Sequence, residues 1–369
     1  MSPSSAMLPL AAPHVRTLHA YTPGLQPKGP GWVKLNTNEN PYPPSPHVAE
    51  AIQRELGASL RLYPDPLSSA VRRAFAQLHG LQENQVLVGN GSDDVLNLLV
   101  RAFAGGDGSG VAFAMPSYSL YPVLVAIENG ATIEVPFSRE MALPVDALAR
   151  SDASLLLLTS PNAPTGVGFR TSDLEALAQA FRGILVIDEA YADFAGENAL
   201  GLLATFPRVV VTRTLSKSHG LAGLRVGFAA GHPEVIDLLD RVRDTYNVNR
   251  LSQAGAIAAL GDAGYLGEVV ARIKRTRATA EAGFRTRGWF TYPSQTNFIF
   301  TEPRTTDGRT GADVAKSCYE HLLTQKVLVR YFGSHALTRN FLRITVGTDS
   351  DMEALVRAID SWLNTASPK

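Results

Sequence analysis

Residues 184–191 read Ile184-Leu185-Val186-Ile187-Asp188-Glu189-Ala190-Tyr191, four apolar residues closing on an acidic one. A run this short and this apolar predicts a strand buried on both faces, the kind found in parallel sheets covered by helices. The pattern recurs outward in both directions, at Val86 to Val88, Val111 to Ala114, Thr132 to Val135, Leu155 to Leu158, Val209 to Val211 and Val226 to Ala229. Helical spacing fills intervals between them, at His47 to Leu56, Ser68 to Leu78, Asp93 to Phe103 and Asp173 to Phe181. Alternation of the two predicts an α/β domain on a mainly parallel sheet.

Beyond it, helical stretches at Pro233 to Tyr246 and Ser252 to Leu260 lead away from the sheet. The last hundred or so residues carry fewer strands, at Thr296 to Phe300, Val327 to Tyr331 and Phe341 to Thr345, and end in a helix over Asp351 to Leu363. This predicts a smaller α+β domain over 256–369, following a large domain over 41–255. The first forty residues are dense in Pro and Gly, which fix or free φ and remove donors, so they read as an extended arm.

Composition narrows the function. The 369 residues carry 34 Lys+Arg against 34 Asp+Glu, and this balance lacks the basic footprint of a nucleic-acid binder. With one cysteine, Cys318, there is no intramolecular disulfide and no Cys-based zinc site to expect; no metal is called for. No apolar run approaches a membrane span, and residues 1–15 lack the positive start of a secretory signal, so the expectation is a cytoplasmic protein.

Five segments carry chemistry. Asp188 closes its strand at the carboxyl edge of the sheet, where ligands bind in open α/β folds. Arg213-Thr214-Leu215-Ser216-Lys217-Ser218-His219-Gly220 puts a primary amine at the same edge, with Arg225 shortly after. Thr159-Ser160-Pro161-Asn162-Ala163-Pro164-Thr165-Gly166 is a turn directly after a strand. Gly89-Asn90-Gly91-Ser92-Asp93-Asp94 is a strand–turn–helix whose free N–H groups suit a phosphate; Asp94 at its sixth position rules out a dinucleotide fingerprint. Leu342-Arg343-Ile344-Thr345-Val346-Gly347-Thr348 holds an arginine inside a strand, costly to bury unless it meets an anion.

With Asp188-x-x-Tyr191 and Ser216-Lys217…Arg225, these segments resemble the fold-type I pyridoxal-phosphate aminotransferases. Leu35-Asn36-Thr37-Asn38-Glu39-Asn40-Pro41, Tyr63-Pro64-Asp65 and the Arg343 segment are similar to the histidinol-phosphate aminotransferase branch of histidine biosynthesis. The resemblance implies a seven-stranded-type sheet in the large domain, pyridoxal 5'-phosphate as cofactor and a homodimer with shared active sites. It implies that Lys217 forms the Schiff base and shuttles the proton, and that Asp188 pairs with the pyridine nitrogen. Asn162 and Tyr191 would hydrogen-bond the ring's phenolic oxygen, and Tyr118 would stack on the ring. Gly91, Ser92, Ser216 and Arg225 would hold the phosphate, with Tyr63 reaching it from the neighbouring subunit. Arg343 would grip the glutamate carboxylate, and Tyr21, Arg330 and Arg343 would take the substrate phosphate. Asn38 would lie near the cleft as a further substrate-side residue.

Departures from the usual pattern are Ala163 for a second asparagine, Asp94 for glutamate and Ser218-His219 for Ala-Phe. None removes a group the chemistry requires. His219, beside Lys217, reads as a packing residue, because this class of enzyme moves its proton with the lysine. An aromatic amino-acid aminotransferase and a threonine-phosphate decarboxylase on the same scaffold are the alternatives.

Overall fold

Leu155, Leu156, Leu157 and Leu158 are all at most 1% exposed, so helices must cover the strand on both faces. In the computed structural model, which describes residues 10–19, 24–104 and 109–366, they do. Leu155 and Leu157 pack in one apolar cluster with Val111, Phe113, Val186 and Val210. Leu156 and Leu158 pack in another with Ala112, Leu185, Ile187 and Val211. This two-residue alternation divides the sheet's neighbours into two helical layers.

The chain enters through β1 (Val33–Lys34), α1 (Pro46–Glu55) and α2 (Ser69–His79). It then builds the sheet with β2 (Val86–Gly89), α3 (Ser92–Phe103), β3 (Gly110–Met115), α4 (Tyr121–Ile127) and β4 (Thr132–Pro136). There follow α5 (Val145–Ala149), β5 (Ala153–Thr159), α6 (Thr171–Ala180), β6 (Ile184–Asp188), β7 (Val209–Thr214) and β8 (Gly227–Ala230). Strand order is β2-β8-β7-β6-β5-β3-β4. Only β8 runs against its neighbours; the remaining pairs are parallel. The mainly parallel, seven-stranded sheet expected above is present.

Register sets the site. Thr159 lies opposite Asp188, and Asp188 opposite Thr212, so β5, β6 and β7 deliver their carboxyl ends to one line. The remainder of the chain forms α7 (Pro233–Val242), α8 (Arg250–Leu260), α9 (Ala263–Thr286), β9 (Phe290–Thr291), β10 (Phe298–Glu302), α10 (Ala312–Thr324), β11 (Val327–Leu328), β12 (Arg330–Tyr331), β13 (Leu342–Thr345) and α11 (Asp349–Ala366). An antiparallel sheet β12-β13-β10-β9 packs its core against α9, α10 and α11, around Ile273, Phe284, Cys318, Trp289 and Trp362.

Four details differ from the sequence reading. Val33–Lys34, read as arm, pairs in parallel with β11. The helix at 233 stops at Val242, where Arg243 turns extended (ψ 159°) and its guanidinium binds the Asp244 and Thr245 carbonyls. The run Val327 to Tyr331 splits into two strands that serve different sheets. Helix α8 runs unbroken across residue 255, capped at its start by the Asn249 side chain. Among the described residues, no helix is long and apolar enough to cross a membrane, and no cluster of His, Cys, Asp or Glu could hold a metal ion.

Helices α2 and α7 are joined by Arg72, 7% exposed, which reaches Asp240 with both terminal nitrogens at 2.9 and 2.6 Å. Burial raises the Asp240 carboxyl, but hydrogen bonds from Arg72 and Arg243 outweigh it and hold the group below its ordinary 3.8. Asp240→Ala strands a buried guanidinium and should cost about 3 kcal/mol, read from urea unfolding. In the wild type, the share of stability that depends on the Asp240 charge should be full above pH 3.8 and be lost as pH falls through the lower folded value.

Candidate active site

Lys217, half-buried on the turn after β7, lines two adjoining cavities of about 170 and 180 Å³ at the carboxyl edge of the large sheet. The first is also lined by Ser92, Asp93, Tyr118, Asp188, Tyr191, Ser216 and Arg225. The second is lined by Asn38, Tyr118, Tyr191, Arg330 and Arg343. Most of the residues singled out from sequence therefore meet at one place. A larger groove of about 700 Å³ runs between α9 and α11 and contains none of them.

Asp188 is 3% exposed. Thr212 Oγ1 donates to its Oδ1 and Tyr121 OH to its Oδ2, both at 2.9 Å. Burial raises its pKa, and those two hydrogen bonds only partly oppose the rise. A carboxylate held by neutral donors in such a place gains most from a cationic partner arriving from the cavity. Tyr121, fully buried, escaped the sequence reading; it opens α4 three residues after Tyr118, and the two rings meet edge to face at 5.7 Å. Its own phenol is pushed well up by burial and by Asp188, so it stays protonated as the donor.

The phosphate-sized end is built by close approach of backbones. Gly91 has φ +87°, and a Cβ there would lie 2.4 Å from Arg225 Nη2. A Cβ at Gly227, where β8 begins, would lie 2.3 Å from Ser92 N. These two glycines let the N-terminus of α3, with its free N–H groups, face Arg225. The Arg225 guanidinium already holds an anion, the Asp93 carboxylate at 3.0 Å, and Tyr118 OH donates to the same carboxylate at 3.1 Å. Ser216 completes this wall, its hydroxyl receiving the Thr214 hydroxyl at 2.9 Å.

Tyr191 and Asn38 act together. Asn38 Nδ2 donates to Tyr191 OH at 2.8 Å, leaving the phenol's own proton free to point elsewhere. Asn38, 2% exposed with φ +58°, is itself held by Thr345 and by the Asn297 side chain. Its amide is committed to positioning Tyr191.

Arg330 and Arg343 are direct cross-strand partners of β12 and β13. Arg343 donates to the Asn36 carbonyl at 2.9 Å, and both guanidiniums lie over the Phe332 ring. Like charges directly opposite are unfavourable by themselves, and with Lys217 they put three basic side chains on one cavity.

Three expected residues are elsewhere. Asn162 is absent from both cavities: Nδ2 donates to Thr159 Oγ1 and the Pro116 carbonyl, and Oδ1 accepts from Thr165. Its amide is spent on holding the turn, and Ala163 is the residue that lines the site. The ring-oxygen role expected of Asn162 is thus corrected. Tyr63 is 77% exposed and stacks on Tyr246 at 4.4 Å, outside the cavities of its own chain. Tyr21 lies outside the described residues.

The aminotransferase class I and II family matches residues 30–359. A histidinol-phosphate aminotransferase of Geotalea uraniireducens is 44% identical, covering 96% of this chain and 99% of its own length. One from Syntrophotalea carbinolica is 44% identical, covering 94% and 97%. Among solved structures, histidinol-phosphate aminotransferase from Sinorhizobium meliloti in complex with pyridoxal-5'-phosphate superimposes with a TM-score of 0.88 at 28% identity, covering all of both chains. The chain belongs to the class I and II aminotransferases and, within them, to the histidinol-phosphate aminotransferases.

Proposed function

We propose that this enzyme transfers the amino group of L-histidinol phosphate to 2-oxoglutarate, giving imidazole-acetol phosphate and glutamate in histidine biosynthesis. The observation that carries the substrate assignment is the cross-strand Arg330–Arg343 pair on the cavity that Lys217 lines. One such site suits the phosphate of one substrate and the carboxylates of the other in turn.

The residues fit pyridoxal 5'-phosphate at three points: the Gly91–Arg225 cradle for a phosphate, the buried Asp188 for a cationic ring nitrogen, and the amine of Lys217. Bound there, the cofactor supplies an aldehyde for the amino group and a protonated ring that withdraws electrons from the substrate Cα. Asp188 keeps the proton on the ring nitrogen. Lys217 Nζ would take the proton from the substrate Cα and carry it during the transfer. Tyr191, with its hydroxyl oriented by Asn38, directs its proton toward the ring oxygen. Without an asparagine at position 163, that duty rests on Tyr191. Tyr118 covers one ring face. Arg225, Ser216, Ser92 and the Gly91 segment would hold the phosphate.

The assembly we propose is a homodimer in which Tyr63 serves the neighbouring site. Leu56, Leu60, Leu62 and Tyr63 are each more than half exposed, an apolar patch that suits an interface with a second copy. The family resemblance alone adds Tyr21 to the proposed phosphate contacts. The same reading assigns the enzyme to the cytoplasm, the compartment that supplies both substrates.

With pyridoxal phosphate and 2-oxoglutarate supplied, kcat/KM should be highest for histidinol phosphate; a higher value for phenylalanine or tyrosine would move the assignment to aromatic amino acids. Lys217→Ala should lose the visible absorbance band and turnover together. Asp188→Asn should retain the cofactor while Cα proton abstraction slows by roughly two to four orders of magnitude; a loss under about tenfold would remove Asp188 from its role. Tyr63→Phe should weaken cofactor binding. When Tyr63→Phe chains are mixed with Lys217→Ala chains, each mixed dimer should regain one site of normal affinity, and absence of that recovery would exclude a shared site.

A further inference from the structure

Ser218 and His219 follow the candidate lysine, yet neither lines the two cavities. Ser218 Oγ donates a short hydrogen bond to Asp193 Oδ2 and lies 3.0 Å from His219 Nδ1. A hydroxyl has one proton. With that proton directed at the carboxylate, Ser218 Oγ can only accept from the imidazole, so a neutral His219 carries its hydrogen on Nδ1. Nε2 is then a bare lone pair. It is buried with no hydrogen-bond partner, in a side chain 8% exposed, and the ring lines a separate cavity of about 190 Å³.

From Asp193 the contacts run on without a break. Arg213 Nη1 lies 3.3 Å from Asp193 Oδ1, and Arg213 Nε and Nη2 lie 2.8 and 2.7 Å from Glu189 Oε2. Glu189 Oε1 accepts the Ala199 amide at 2.5 Å. Glu189 adjoins Asp188 and Ser218 adjoins Lys217, so one polar chain ties together the neighbours of the two principal groups of the site. From the opposite side, Asn40 Nδ2 donates to the carbonyls of Lys217 and Ser218 at 3.0 and 2.9 Å.

We propose that His219 is a positioning residue: by donating from Nδ1 to Ser218 Oγ it aims the serine hydroxyl at Asp193 and so fixes the Lys217 main chain against the strand end bearing Asp188. The inference rests on Lys217 being the cofactor lysine. The titratable groups that line this cavity with the ring are His79 from α2, Arg213 from β7 and Asp193 from the turn after β6; the rest of the lining is mostly apolar, with Phe75, Phe228, Leu260 and Leu266 among it. Burial lowers the His219 pKa, with Asp193 opposing and Arg213 adding, and this favours the neutral ring that the bond requires. A proton on Nε2 would face His79, whose own pKa is pushed down to about 4 by burial and Arg213. A role in packing alone would be met by any ring of this size. The positioning role needs a donor at Nδ1.

The test compares His219→Phe, which fills the space without a donor, His219→Asn, which restores a donor near Nδ1, and Ser218→Ala, which removes the acceptor with little change in volume. Two readouts are taken: the pH midpoint of the visible band of the cofactor-loaded protein, and the rate at which cofactor-free protein captures pyridoxal phosphate. His219→Phe and Ser218→Ala should both move the midpoint by about half a unit or more and slow capture and kcat by about tenfold, with the donor KM within about twofold. His219→Asn should return both readouts toward the wild type. Midpoints and capture rates unchanged in both variants that break the contact would overturn the proposal, as would an asparagine variant no better than phenylalanine. A wild-type protein without a visible band would instead overturn the reading of Lys217.

Discussion

A carboxylate buried between a threonine and a tyrosine hydroxyl is an unfavourable thing to build, and Asp188 is the point on which this structure turns. Neutral donors satisfy its lone pairs without neutralising its charge, so its desolvation is only partly offset. The parallel register that fixes Asp188 between Thr159 and Thr212 also fixes the starting points of the turns that carry Ala163 and Lys217. Sheet geometry, the demand for a cationic ligand and the placing of a nucleophilic amine are therefore consequences of the same three strands.

The second anion site is built on different principles. At Arg225 the backbone does most of the work, because Gly227 lets the start of β8 approach the start of α3 more closely than a side chain would allow, and Gly91 leaves room for the guanidinium. At Arg330 and Arg343 the two charges are set opposite each other by antiparallel pairing, over a shared aromatic ring. The first arrangement is set by main-chain approach and the second by two long side chains, which under the proposed function would suit a fixed phosphate and exchangeable anions respectively. That division suits a reaction with one permanent phosphate and two alternating substrates.

Strand ends were the most legible part of the sequence, because a buried parallel strand is a nearly uninterrupted apolar run and its last polar residue marks the sheet edge. Asp188, Lys217 and Gly91 could be located in this way, whereas the phosphate role of Arg225 came from the family resemblance. Asn162 was misread because residue type and nearness to the edge do not report which way an amide points; here Thr159, Thr165 and the Pro116 carbonyl consume it. Tyr121 and the chain from Glu189 through Arg213 and Asp193 to Ser218 depend on contacts between separate elements, which no local pattern encodes. Helix α9 went unassigned because its buried apolar residues are sparse along a mostly exposed length, as at Val269, Ile273 and Phe284. The early end of α7 was hidden for a similar reason: Arg243 satisfies carbonyls with a side chain that composition alone would extend into a helix.

Asn38 orients Tyr191 but is anchored in turn by Thr345, 307 positions further along the chain. During synthesis on the ribosome, the large sheet can close and bury its leucines long before that anchor has left the exit tunnel. The contact that holds Asn38 on Tyr191 therefore cannot be anchored until Thr345 has been made.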